Sequence, residues 1–144
     1  MTDQIGIVAV DSLVANEFEV QLDGETVTGV FRVDGLTTFK LDQDGDRVHE
    51  PITLVKMVQR DGNSNINKWL RETTAYGSDK PRRTLTVLAI DDGTEIRRWT
   101  LNGAWIQQVV YSAFDTASTE MVEEILTIYY DAIEESWSAT SNLE

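Results

Sequence analysis

His49 is the only imidazole in a chain of 144 residues that contains no cysteine. Thiol nucleophiles, disulfides and thiolate zinc sites are therefore ruled out. Count alone allows a Ser-His-Asp triad on His49, but no nucleophile elbow offers it a serine. A lone histidine followed by Glu50 and Pro51 reads as a surface loop residue. The acidic run "DQDGD", residues 42–46, has the look of a calcium loop. A hand-type loop needs acids at positions 1, 3 and 5, glycine at 6 and glutamate at 12. Counting from Asp42 puts Gly45 at position 4, Arg47 at 6 and Thr53 at 12, so the run reads as a tight acidic turn. Glycosidase chemistry needs two carboxylates facing one bond. Neighbouring acids such as Glu123-Glu124 point to opposite faces of a strand, and Asp91-Asp92 belongs to a turn. No phosphate-cradling glycine loop is present. The basic doublets Arg82-Arg83 and Arg97-Arg98 allow two readings, pairing with acids across strands or contact between subunits. The expectation is a chain with no catalytic residues, no cofactor and no metal site.

The elements that would carry these residues are mostly short strands. Six of the nine glycines follow Asp or Asn: Gly24, Gly35, Gly45, Gly62, Gly93 and Gly103. Such pairs accept positive φ and favour hairpin turns. "EFEVQL" alternates Phe18, Val20 and Leu22 with Glu17, Glu19 and Gln21, the pattern of a half-buried strand. "TVTGVFRV" follows one turn later, and "PITLVKMV" adds a strand with Pro51 at its edge. The clearest hairpin is "RTLTVLAI-DDG-TEIRRWTL". After it, Asn102-Gly103 is expected to turn the chain into "AWIQQVVY", placing Trp99 and Trp105 on consecutive strands, where large flat rings pack well.

One helix fits the longest gap between these turns, at about 64–76. Asn or Ser caps its start. Ile66, Trp69, Leu70, Thr73 and Tyr76 recur at helical spacing, and Gly77 is placed to end it. Residues 121–130 read two ways. Met121, Val122, Ile125, Leu126, Tyr129 and Ile133 form a helical stripe, whereas alternation groups Val122, Leu126, Ile128 and Tyr130. Periodicity alone favours helix. The tail, 138–144, is expected to fray. Many short strands with one inserted helix indicate a mainly β fold, a small antiparallel β-barrel or sandwich with one flanking α-helix, in a single domain spanning 1–144.

Net charge is −13, which disfavours a surface built to grip nucleic acid or an anionic membrane. No run of about 18 apolar residues is present, so no membrane anchoring is expected. The first residues lack the basic start and cleavage site of a secretory signal, which makes the cytoplasm the expected place of synthesis. Residues 1–55 hold eleven acids and three bases, residues 56–98 six and nine, and residues 99–144 eight acids and no base. A basic middle between acidic ends suits self-association or pairing within one fold.

The segment "RRTLTVLAIDDGTEIRRWTLNGAW" resembles the tail-tube proteins of contractile-tailed phages and related phage-tail-like injection systems. The pattern is a strand from Leu85 to Ile90, a turn from Asp91 to Gly93, a strand from Glu95 to Trp99, then Asn102-Gly103-Ala104-Trp105. "FEVQLDGETVTGVFRVDGL" is similar to the opening hairpin with its Val33, Gly35, Leu36 step. "ITLVKMVQRDGNSNINKWL" is similar to the strand that leads into a Trp-bearing helix. "STEMVEEILTIYYDAIEE" is similar to the closing strand, so the resemblance favours β for 121–130. It covers about residues 16–135 in collinear order.

The resemblance implies a tail-tube-like domain whose copies join sheets side by side into hexameric rings, stacked as a hollow tube. The partners it implies are further copies of the chain, sheath and baseplate proteins, and DNA or protein cargo passing through the lumen. The implied location is a virion tail or phage-tail-like particle assembled in the cytoplasm. A negative bore wall would let DNA slide. Two alternatives keep company with this reading: a tube initiator or baseplate adaptor of the same machine, and a monomeric β-sandwich binding module using exposed tryptophans.

Overall fold

The computed structural model describes residues 13, 14, 17–75, 77 and 79–137. Tyr76 and the tail, 138–144, lie outside them. The strands are β1 (Phe18–Leu22), β2 (Glu25–Thr26), β3 (Val30–Asp34), β4 (Ile52–Met57), β5 (Arg83–Asp91), β6 (Thr94–Tyr111), β7 (Glu123–Tyr129) and β8 (Ala132–Trp137), with one helix, α1 (Asn65–Thr74), between β4 and β5. Every strand pairing is antiparallel, in the expected mainly β class. Sheet I runs β2-β1-β5-β6-β8 and sheet II runs β6-β7-β4-β3.

The two sheets share β6, which is 18 residues long and passes straight through Asn102-Gly103. The expected turn at that pair is not made. Register explains why: Leu85 faces Leu101, but Arg83 faces Ala104, so β6 holds one extra residue there. This is a β-bulge, which bends a strand without ending it. Gly103 takes φ 66° to make it. Trp99 and Trp105 therefore sit on one bent strand, one in each sheet, rather than on consecutive strands. By contrast, Asp23-Gly24 and Asp92-Gly93 both place two residues at positive φ, the primed turn their sequence predicts. Asp61-Gly62 makes no hairpin; the Asp61 carboxylate instead accepts the Asn63 N–H at 2.9 Å, just ahead of α1.

Residues 123–129 are strand β7, so helical periodicity is overturned and the family-based expectation holds. The reason is position. Because β7 lies between β6 and β4, its neighbours enforce period two: Glu124, Leu126 and Ile128 are buried and alternate with half-buried residues. The helix forms as expected. Ser64 caps it, accepting the Asn67 N–H at 3.4 Å, and it closes through the Ala75 N–H to Arg71 O at 3.2 Å, two residues before Gly77.

One core joins the sheets. Val20, Leu22, Leu85 and Leu101 come from sheet I, Ile52, Leu54, Leu126 and Ile128 from sheet II, and Ile66 and Trp69 from α1. Trp69 is fully buried, and its indole N–H donates to Pro81 O at 3.0 Å. A buried indole keeps its apolar area only if that N–H finds an acceptor. Among the described residues, no helix is long and apolar enough to cross a membrane.

Candidate assembly surfaces

The residues with chemical potential are scattered or already occupied. His49 is half-buried, its ring centroid 5.6 Å from that of Tyr130. The Tyr130 hydroxyl donates to Glu50 O at 2.7 Å, and burial, with the Glu50 charge second, pushes its pKa up. The acidic run is the tight turn expected of it: Asp42 Oδ1 accepts the N–H groups of Asp44 and Asp46, both at 2.9 Å, and Gly45 takes φ 84°. Among the described residues, no group of three or more His, Asp or Glu side chains is arranged to hold a metal ion. Glu123 and Glu124 do point apart, one half-buried and one buried.

The basic doublets pair within the fold. Arg82 meets Asp131 at 3.0 Å, Arg97 meets Glu135 at 3.3 Å and Arg83 meets Asp23 at 3.5 Å. Arg83 also pairs with Glu72, and Arg98 forks onto Glu95 with two bonds of 2.9 Å. These contacts join the basic middle to both acidic ends, in keeping with pairing within one fold. The fork, with burial opposing it, draws the Glu95 pKa down and the Arg98 pKa up. Glu19 is drawn down first by its bond from Thr26, at 2.6 Å, then by one from Gln21.

Lys56, fully buried on β4, stands directly opposite Glu124 on β7 and pairs with it. Its Nζ also donates to Met57 O at 3.0 Å and to Asn67 Oδ1 of α1 at 3.3 Å. The Tyr111 hydroxyl donates to the other Glu124 oxygen at 3.1 Å, and burial, then that bond, raises the Tyr111 pKa. A buried ion pair holds only when its remaining donors and acceptors are filled, as they are here. Sequence reasoning missed this network. Its one visible signal is a lysine inside the otherwise apolar run "ITLVKMV".

The aromatic residues are structural or exposed. Trp99 packs against the core, and Trp105 stacks on Tyr129 with centroids 5.3 Å apart. Trp137, over half exposed, lies under the Arg97 guanidinium at 3.4 Å. What stands out is unfinished strand pairing. Among the described residues, β8 has β6 on one side only, and β3 has only β4. Beyond Ala104, β6 pairs only with β7. Open edges of this kind are ready to pair with another chain. Exposed apolar residues gather at the loop ends, Phe39 and Leu41 between β3 and β4, Phe114 and Met121 between β6 and β7.

Residues 14–134 match the family model of the T4-like virus tail tube protein gp19. No curated protein matches the sequence. The fold is similar to a chain of the extended-state sheath-tube complex of an extracellular contractile injection system, PVC, with TM-score 0.72 and 17% identity over 95% of this chain and 99% of that one. A chain from the PVC sheath/tube terminator is similar with TM-score 0.71 and 17% identity, covering 88% and 98%. Hcp1 from Flavobacterium johnsoniae is similar with TM-score 0.55 and 14% identity, covering 84% and 95%.

Proposed function

Because the chain belongs to the T4-like virus tail tube protein family, we propose that it is a structural subunit of the inner tube of a contractile phage tail or phage-tail-like injection system. Its copies form hexameric rings, and stacked rings make a hollow conduit for DNA or protein cargo. Sheath and baseplate proteins are its outer partners, and the particle is assembled in the cytoplasm. The observation that carries this reading is the combination of a family-matched sandwich with strand edges left unpaired in the single copy. Pairing between neighbours removes that exposure, and a closed ring removes it for every copy at once.

The outer face of sheet I suits a bore wall. Gln21, Thr86, Thr100 and Glu134 are partners in one cross-strand row, and Glu19, Leu88, Arg98 and Ser136 in the next. Thr86 and Leu88 are buried at the middle of this face, and Glu19 and Glu134 outnumber Arg98 around them, so like charge would keep DNA from adhering. Replacing Glu19 and Glu134 by lysine is expected to slow DNA passage; unchanged passage would count against this lining.

The near-equal likeness to a sheath-tube chain and to a terminator chain supports a second reading, a tube-end subunit of the same machine. Electron microscopy of concentrated purified protein tests both. Stacked rods are expected of the tube subunit and single rings of a tube-end subunit, while a strictly monomeric particle would sink the proposal.

A further inference from the structure

Two features of the single copy have no counterpart among the described residues. The first is a projecting arm between β3 and β4. Leu41 bridges Arg47, the Val48 N–H donates to Lys40 O at 3.0 Å, and the Asp42 N–H donates to Asp46 O at 2.8 Å. This small hairpin holds itself together without the core. Its shaft holds two apolar side chains in water, Phe39 64% and Leu41 46% exposed, with the Arg47 guanidinium 5.3 Å from the Phe39 ring centroid and Lys40 paired with Glu50. Its tip is acidic, with Asp44 and Asp46 in no ion pair among the described residues. A hairpin needs neither feature for its own stability.

The second is a groove between α1 and the open edge of β6. It consists of two adjoining hollows of about 430 and 420 Å3 that share Thr74 and Val109. Leu70, Val109 and Trp105 give it apolar walls. Two cations line it. Lys80 lies 4.7 Å above the Trp105 ring, and Arg71 donates only to Asn63, at 3.3 Å, so neither meets a carboxylate among the described residues. The one acid in the lining, Glu124, is occupied by Lys56 and Tyr111. Gln59 lines it too, and its Oε1 is buried without a hydrogen-bond partner.

From these we infer that the arm of one copy docks in the α1–β6 groove of a second copy. This rests on the tube reading and names the contact that would build it. Phe39 and Leu41 of the shaft meet the apolar wall, and the acidic tip meets the two cations. Topology makes the contact intermolecular. The arm springs from β3 and the groove flanks β6, which are opposite edges of sheet II in the order β6-β7-β4-β3. Three strand spacings, roughly 14 Å, separate them. Each copy therefore offers an arm on one side and a groove on the other, a head-to-tail contact that repeats until a ring closes.

The absence of native cysteine makes the test direct. Leu41→Cys and Thr74→Cys variants, mixed and oxidised, are expected to give a disulfide-linked dimer, with much less from either alone, because bridging needs Cα atoms within about 7 Å. Arg71→Glu with Lys80→Glu is expected to raise the protein concentration needed for rings or rods at least about tenfold. Adding Asp44→Lys and Asp46→Lys to the same chain should restore assembly. All four side chains are exposed, so melting temperature should hold within a few degrees and separates lost docking from lost folding. Normal assembly of the Arg71/Lys80 variant with no 41–74 crosslink would overturn the docking and leave the tube reading standing. A wild-type chain that never associates would overturn both.

Discussion

The two halves of β6 are built to different ends. From Thr94 to Ala104 the strand pairs with β5, and from Arg97 to Asn102 it lies between β5 and β8 with both edges paired. Its charges, Arg97 and Arg98, meet Glu135 and Glu95 at the surface. From Trp105 to Tyr111 it pairs with β7 alone, its other edge facing the groove. The charge network beneath that half is buried, Lys56 with Glu124 and Asn67, and the exposed Tyr111 at the strand's end donates to it. The saturated half behaves as scaffold. The open half is held from beneath by a buried pair while its edge stays available. A strand edge can be left unpaired for a neighbour only if something else keeps the strand in place.

The comparison breaks most sharply at the buried pair. Lys56→Met leaves the Glu124 carboxylate buried without its cation and is expected to cost about 3–5 kcal/mol in denaturant unfolding. Lys56→Met together with Glu124→Leu removes both charges and is expected to recover most of that loss. If the double variant is as unstable as the single one, the pair is not what anchors the open half.

The junction comes next. A Cβ on Gly103 would overlap the Asp131 carboxylate, at a residue whose φ of 66° already disfavours any side chain. Asp131 would have to leave Arg82, whose guanidinium also donates to Gly103 O at 3.0 Å. Gly103→Ala is expected to cost about 2 kcal/mol, combining backbone strain with the lost pairing. Gly93→Ala, in the turn that leads into the same strand, sharpens the contrast. Its φ is 78°, but nothing lies within 4 Å of the added carbon. About 1 kcal/mol is expected, from the backbone alone. Equal costs at the two glycines would mean that the bend is not pinned by Asp131.

The smallest effect belongs to the surface charges of the saturated half. Glu95 has a folded pKa below its unfolded value because Arg98 holds the carboxylate charged. That stability is present above the unfolded glutamate pKa and is lost as pH falls through the folded one. Glu95→Gln is therefore expected to lower stability slightly at pH 7 and leave it unchanged below the folded pKa, which flattens the acid limb of the stability curve. The side chain is about a third exposed, so solvent screening keeps the effect small.

Local chemistry determined much of this protein from its sequence. Asp23-Gly24 and Asp92-Gly93 made their turns, Ser64 capped its helix, and the alternation of Phe18, Val20 and Leu22 formed its strand, because each depends on φ preference or side-chain periodicity within a few residues. The sequence likewise carries no cysteine and no nucleophile-elbow or phosphate-loop motif. Tertiary structure decided the rest. Asn102-Gly103 carries the same turn signal as Asp92-Gly93, yet it bends a continuous strand, since β5, β8 and Asp131 hold the chain on both sides of the glycine. Residues 123–129 satisfy helical and strand periods alike, and only their place between β4 and β6 selected strand. Lys56 and Glu124 lie 68 residues apart and meet because strand register sets them opposite each other. The groove exists because α1 settles beside an edge that no strand among the described residues completes. Such features depend on which distant segments become neighbours, and that is settled when the two sheets pack over one core.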